Sequence, residues 1–278
     1  MSNWRCLRSL EFTLGASLTL LIVVLALLTP WLFPDGGEGM DLSARLIRPG
    51  LSWAHPLGTD PIGRDLLARV VVGARVSLTV GALSVAGAMM LGTIAGLFAG
   101  FYRGVWDMLL MRWADVQLAL PFILVAITFT AILGADMWKL IGFMALTQWV
   151  QYARLVRGSV LGLRELEFVH AARAIGVNQS RILFRHILPN AIGPVIVLMT
   201  LNVANNILLE SSLTFLGAGI DPMIPSWGGM LSDGRSYLQT AWWVGVFPGL
   251  AIMLTVLGLN LLGDWLRDSL DPKSHVNS

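Results

Sequence analysis

The chain has 278 residues, of which 55% are hydrophobic and only 13% charged, with a mean hydropathy of +0.71. A soluble domain carries about 25% charged residues, so an ordinary cytosolic enzyme is excluded. The formal charge of +2 and the pI near 9.0 do not indicate nucleic acid, because the basic residues flank apolar windows and form no soluble basic face.

Uncharged runs at 12–34, 76–102, 116–135, 187–209 and 236–263 exceed the roughly 18 residues that mark a spanning helix. A shorter run covers 140–153. Together they predict an all-α integral membrane protein with six transmembrane helices, near 13–33, 78–101, 117–135, 138–157, 191–218 and 242–263. The first run is longer than a signal-peptide core of about 7–15 residues and reads as a retained helix. The fourth must extend past Arg154, whose long stem can carry its charge back to the interface. With the N-terminus inside, the inner segments hold twelve Lys and Arg and the outer ones seven, so both termini are expected in the cytoplasm. The single cysteine, Cys6, excludes an intrachain disulfide.

The expected organisation is an N-terminal cytoplasmic segment with the first helix and an outer scaffold loop (1–77), a five-helix core (78–264), and a cytoplasmic tail (265–278). The outer loop carries His55-Pro-Leu-Gly-Thr-Asp-Pro-Ile-Gly-Arg-Asp. Here Asp60, Arg64 and Asp65 can pair with each other or with nearby backbone, while Gly58 and Gly63 beside Thr59 permit tight turns. A structural brace is expected, not a cargo site. Leu66, Leu67, Val70 and Val71 follow with the spacing of an amphipathic helix. In the second span Ala88, Gly92, Gly96 and Gly100 recur every four residues, a stripe that lets helix backbones approach closely in lipid. The later outer loop, 219–241, holds Pro222, Pro225 and Trp227 and is expected to order itself against a partner or the membrane interface.

The inner loop at about 160–190 is the longest cytoplasmic stretch, and basic. Residues 168–175 suit a short helix, Gly176 a turn at its end, and Asn178 or Ser180 the cap of a second helix. Pro189 marks the way into the next span. Such a knob is shaped to dock in a groove of another protein. The segment resembles the EAA loop of bacterial ABC importer permeases, with Ala171, Ala172, Gly176, Leu188 and Pro189 in register and His170 and His186 standing where that motif has glutamate and isoleucine. Glu210-Ser-Ser-Leu-Thr-Phe-Leu-Gly, Pro225-Ser-Trp-Gly, the outer-loop motif and Gly263-Asp-Trp-Leu-Arg-Asp resemble the second permease subunit of the peptide/opine/nickel importers.

That resemblance implies a type I importer permease fold in a bacterial inner membrane, with a cytoplasmic coupling helix. It implies a homologous permease partner, two ATPase subunits that hold ATP and Mg, and a periplasmic or extracellular substrate-binding protein. The coupling surface would then include Glu167, His170, Ala171, Ala172, Arg173, Gly176, Arg181, Leu188 and Pro189. The residues agree on one point independently. The only lysines, Lys139 and Lys273, follow Trp138 and Pro272, so no Walker A loop is present and no cofactor is expected on this chain. His170 and His186 are too far apart for a helical metal pair, and no metal is expected.

In the fifth span Asn202, Asn206 and Glu210 lie four residues apart, with Ser211 beside them and Gln148 in the fourth span. Polar residues of this kind face the bundle or a water-filled cavity and are expected to line the passage, with Glu210 shaping an outward gate through hydrogen bonds to the partner permease. An alternative class is a secondary transporter using Glu210 as an ion site, whose usual mark is an inverted repeat; none is evident. Whether the cargo is a dipeptide, a longer peptide, an opine, a glutathione-like thiol or a nickel chelate stays open at this stage.

Overall fold

Long apolar runs become helices of spanning length even where Pro30, Pro194 and Pro248 fall inside them. In the computed structural model, which describes residues 10–270, these are α1 (Leu10–Leu32), α2 (Leu66–Tyr102), α3 (Gly104–Leu118), α4 (Phe122–Leu133), α5 (Met137–Leu163), α6 (Glu167–Ala174), α7 (Gln179–Phe215), α8 (Trp227–Gly234) and α9 (Trp243–Leu270). Arg5, Cys6, Arg8 and the last eight residues of the tail expected over 265–278 lie outside the described residues. Among the described residues four helices, α1, α2, α7 and α9, are long and apolar enough to cross a membrane, or five if α3 and α4 together make one span.

Two boundaries differ from expectation for identifiable reasons. α2 begins at Leu66 and not near 78, because no proline separates the amphipathic stretch from the apolar one and the helix runs through Gly73 and Ser77. The proposed division between 77 and 78 therefore falls inside a helix. The expected third span, 117–135, is broken: α3 ends at Leu118 and α4 leaves it at 86°. Pro121 lies in the break, where a proline disfavours helical geometry in the residue before it. α5 is long enough at 27 residues, but Gln148, Gln151 and Arg154 interrupt its apolar character.

The chain forms two compact units. The first comprises Met1–Ala82, Ala126–Leu140 and Val203–Leu262, with a core of Leu66, Ala74, Ile207, Trp227, Met230, Trp243 and Ile252. α1 packs on α9 through small residues, since a Cβ at Gly15 would meet Leu261 Cβ at 2.9 Å. Its outward residues, Leu20, Leu21, Leu27 and Trp31, are exposed and apolar, as a lipid-facing surface requires. The outer loop 219–241 orders itself on its own chain: Ser226 caps α8, and Trp227 Nε1 donates to the Val70 carbonyl at 2.9 Å.

The second unit comprises Leu83–Val125, Ile141–Asn202 and Gly263–Ser278. The glycine stripe is a packing surface here. A Cβ at Gly92 would strike the Trp149 carbonyl and Tyr152, one at Gly96 the Ala153 carbonyl, and one at Gly100 Val160 Cβ, so α2 and α5 touch backbone to backbone. α3 lies along α5 with a core of Ala114, Trp149, Val150 and Ala153. A polar seam joins the same pair. Arg157 makes a two-pronged bond to Asp107 at 2.5 and 2.8 Å, and Trp149 Nε1 donates to Gln117 Oε1 at 2.9 Å.

Candidate functional site

The inner loop is a closed, rigid shape. α6 has Glu167 in its first turn and Arg173 in its last, each favourable to the helix dipole. Gly176 stands at φ +77°, a conformation that other residues adopt at a cost. Its N–H donates to the Arg173 carbonyl, and the Val177 N–H to the Ala172 carbonyl, both at 3.0 Å; this is the double closure of a Schellman turn. Asn178 then accepts from the Ser180 N–H at 3.2 Å and starts α7. α7 runs unbroken from the loop into the membrane through a π turn at Leu183–Ile187, closed by the Leu188 N–H on the Leu183 carbonyl. Pro189 donates no N–H and crowds the carbonyl four residues back, and the wider turn just before it accommodates that.

The loop is anchored on the end of α2. Arg164 donates to the Phe101 carbonyl at 2.7 Å, Arg103 pairs with Glu165 at 3.1 Å, and the Arg173 guanidinium lies 5.9 Å from the Phe101 ring centre. Val169, Ala172, Ile182 and Leu183 are buried beneath. Glu167, His170, Ala171, Arg173, Gly176, Arg181 and Pro189 are exposed, and Leu188 half-buried. Ala172 alone of the expected coupling residues faces inward. Sequence reasoning missed the exposed apolar members: Phe168, Phe184 and Ile175, the last 81% exposed.

The polar residues of the spans fall into two separate groups. In the second unit Asn202 Nδ2 donates to Tyr152 Oη at 3.0 Å and to Gln151 Oε1 at 3.2 Å; Gln148 is buried, with no partner for its Nε2. In the first unit Glu210 is fully buried beside Asn206 and Ser211. Its Oε2 accepts from Ser77 at 3.1 Å and Ser211 at 3.3 Å, and its Oε1 from Thr214 at 2.9 Å. The hydrogen bonds expected toward a partner permease are thus made within the chain. Thr214 follows at helical spacing and was findable; Ser77, 133 residues away, left no signal in the sequence.

The outer brace closes on itself. Asp60 is 1% exposed, and its Oδ1 accepts from the Ile62 and Arg64 N–H groups at 2.9 Å each. Its Oδ2 accepts from Arg64 Nε at 2.6 Å and from the Arg69 guanidinium at 2.7 Å. Burial pushes the Asp60 carboxyl up, but the Arg64 amide and guanidinium and the Ile62 amide outweigh it and hold the group below the usual carboxylate range. Asp65 caps α2 by accepting from the Ala68 N–H at 2.8 Å and meets His55 Nδ1 at 3.1 Å. Thr59 bonds the Ala44 carbonyl and the Ile47 N–H through its hydroxyl, and its own carbonyl accepts from Trp243 Nε1 at 3.1 Å. Gly63, at φ +81°, presses against the Asp41 backbone where a Cβ has no room, and Gly58 likewise against the Ile47 carbonyl.

Among known proteins, the chain is 43% identical to the glutathione transport system permease protein GsiD of Pectobacterium atrosepticum, over 97% of this chain and 90% of that one. It is 46% identical to the dipeptide transport system permease protein DppC of Alkalihalophilus pseudofirmus, over 90% of this chain and 82% of that one. The fold is shared with a chain of the MetNI methionine ABC transporter in an inward-facing conformation, at TM-score 0.59 and 16% identity, covering 74% of this chain and 98% of that one. Residues 92–276 match the family model described as binding-protein-dependent transport system inner membrane component. With that match across most of its length, the chain belongs to this family and is the permease subunit of a binding-protein-dependent ABC importer.

Proposed function

We propose that the chain forms half of the translocation pore for peptides or glutathione-like peptides, with a homologous permease as the other half. Six spans place both termini in the cytoplasm, α5 and the bent α3–α4 pair completing the four strongly apolar helices. A binding protein delivers cargo outside. Two ATPase subunits, which carry ATP and Mg, dock on the loop at 165–189; this chain catalyses nothing itself.

The observation that carries the coupling role is the exposure of Phe168, Ile175 and Phe184 on a loop whose backbone is closed by the Gly176 turn. Apolar side chains held outward by a rigid frame fit a groove in another protein. α7 continues from that loop without a joint, so a push on the loop moves a spanning helix. Glu167, His170, Ala171, Arg173 and Arg181 would form the polar rim, and Ala172, Leu188 and Pro189 the frame. Asn202 and Gln148 would line the passage, with Asn206, Glu210 and Ser211 forming a gate-side tie within the chain. The segment Gly58, Thr59, Asp60, Gly63, Arg64 and Asp65 would serve as the outer brace.

The test is reconstitution with the partner permease, the ATPases and the binding protein in proteoliposomes. Labelled glycyl-leucine or glutathione should accumulate only with ATP and binding protein together. Uptake independent of ATP, or failure of the ATPases to co-purify, would overturn the reading.

A further inference from the structure

The second unit holds an ion pair that the fold does not need. Arg154 on α5 donates to Asp115 Oδ1 on α3 at 2.6 Å, yet the two side chains are 49% and 57% exposed. The α3–α5 seam is already fixed at one end by the two-pronged Asp107–Arg157 bond and at the other by Gln117, which bonds both Trp149 Nε1 and the Thr147 carbonyl. Arg154 lies about 25 Å along α5 from Met137 at 1.5 Å per residue, within the inner third of a hydrocarbon core about 30 Å thick. An arginine facing lipid at that depth can snorkel, but the short Asp115 side chain cannot. A half-exposed carboxylate in a spanning segment therefore faces water.

The surroundings agree. Gln151, Arg154, Gly158 and Gly162 share one exposed face of α5, and a Cβ on either glycine would meet nothing within 4 Å. This face of α5 differs from the leucine and tryptophan surface of α1, and it adjoins an α3 side on which Leu109, Trp113 and Val116 are exposed. Gln151 is exposed one turn from Arg154 and is held by Asn202, which also bonds Tyr152.

We infer that the Asp115–Arg154 pair is a transit site for zwitterionic, peptide-like cargo, with Arg154 taking a carboxylate, Asp115 an ammonium group, and Gln151 an adjacent amide. This rests on the peptide reading proposed above. Cargo entering the site exchanges one ion pair for two of the same chemistry, so the charges stay compensated and retention is slight. A passage needs that balance: favourable enough to enter, weak enough to leave.

The experiment uses the complete transporter in proteoliposomes, with Gln151→Cys in a Cys6→Ser background and the membrane-impermeant thiol reagent MTSES. Modification is expected, and glycyl-leucine with the binding protein should slow it about fivefold, the scale of one exposed ion pair. Absence of modification means that lipid or the partner permease covers the face, and modification without protection means that cargo passes elsewhere; either overturns the site. In parallel, Asp115→Asn and Arg154→Gln should each lower uptake about fivefold, while assembly and binding-protein-stimulated ATP hydrolysis persist. Arg154→Lys, which keeps the charge, should retain most uptake. If assembly or hydrolysis falls together with uptake, the pair is only a helix clamp. Uptake by the unaltered complex separates the two readings: failure with both glycyl-leucine and glutathione sinks the peptide cargo, whereas unprotected Gln151→Cys in a working importer sinks the transit site alone.

Discussion

The outer brace and the inner loop are both polar-sequence segments joined to long helices, and they are built in opposite ways. The brace turns its charges inward: Asp60 is buried with four donors on two oxygens, and Arg69 beside it is 5% exposed. The inner loop keeps Val169, Ala172, Ile182 and Leu183 beneath and turns Ile175, Phe168 and Phe184 out. A segment whose polar groups are all satisfied by its own chain has no need of a partner. One that holds apolar side chains in water on a rigid turn has an unfilled contact. The contrast holds between residues 58–65 and the inner loop; elsewhere in the outer loop Met40, Leu42, Leu51 and Trp53 are exposed.

The largest effect expected from breaking this contrast is at Asp60. Asp60→Ala would leave the Arg69 and Arg64 guanidinium groups only the half-exposed Asp233 carboxylate, at 3.8 and 3.9 Å, in place of the short bonds to Asp60, a loss of about 3 kcal/mol. The permease should fail to assemble, measured as the yield of intact transporter after extraction. A normal yield would mean the brace is dispensable. Next is Gly176→Val, which forces a β-branched residue to φ +77° at roughly 1–2 kcal/mol. The space around Gly176 is open, so the cost is conformational and local. Assembly in the membrane should survive while uptake and stimulated ATP hydrolysis fall about tenfold, the rate equivalent of that strain. Smaller still is Ile175→Ser, which alters no internal contact. It should weaken ATPase association by about tenfold, for roughly 1.5 kcal/mol of lost apolar burial, with no change in the stability of the permease alone.

The same contrast explains what the sequence could tell. Helices α1, α2, α7 and α9 were legible because lipid demands long uncharged runs, and the Gly176 turn and Asn178 cap because each depends on residues within five positions. The 86° break near Pro121 and the separate α3 were not, since Asp107 and Asp115 read as inner-loop charges until their partners on α5 are known. Arg154 was expected to carry its charge to the interface along its own stem; it meets Asp115 instead. Glu210 is buried, and its tie to Ser77 joins residues 133 positions apart, which no local spacing encodes. The brace was readable in kind, from Asp60, Arg64 and Asp65 in one short stretch, though not the reach of Arg69 from the first turn of α2 or of Trp243 from α9.

The smallest effect expected is the response of the brace to acid, and its value lies in its sign. The folded Asp60 carboxyl titrates below the ordinary 3.8 because the Arg64 amide, the Arg64 side chain and the Ile62 amide together outweigh the cost of burying it. A carboxylate with a depressed folded value contributes stability that is complete above its unfolded value and is lost as the pH falls through the folded one. The Asp60 contribution should therefore be indifferent to pH from 7 down to about 4.5 and be lost only below 3.8, whereas burial pushes the nearby Asp233 carboxyl above the ordinary carboxylate value. Hydrogen exchange at the Ile62 and Arg64 amides, both bonded to Asp60 Oδ1, reads this directly once intrinsic rates are divided out. Protection that fades between pH 6 and 5 would mean that Asp60 is held at a raised value, and that burial, not its donors, governs the site. Asp60→Asn sharpens the point. The amide keeps an acceptor for the two N–H groups but loses the charge that faces Arg64 and Arg69, so protection should be lower than in the unaltered protein above pH 3.8 and converge with it at lower pH, with the Asp60 transition gone.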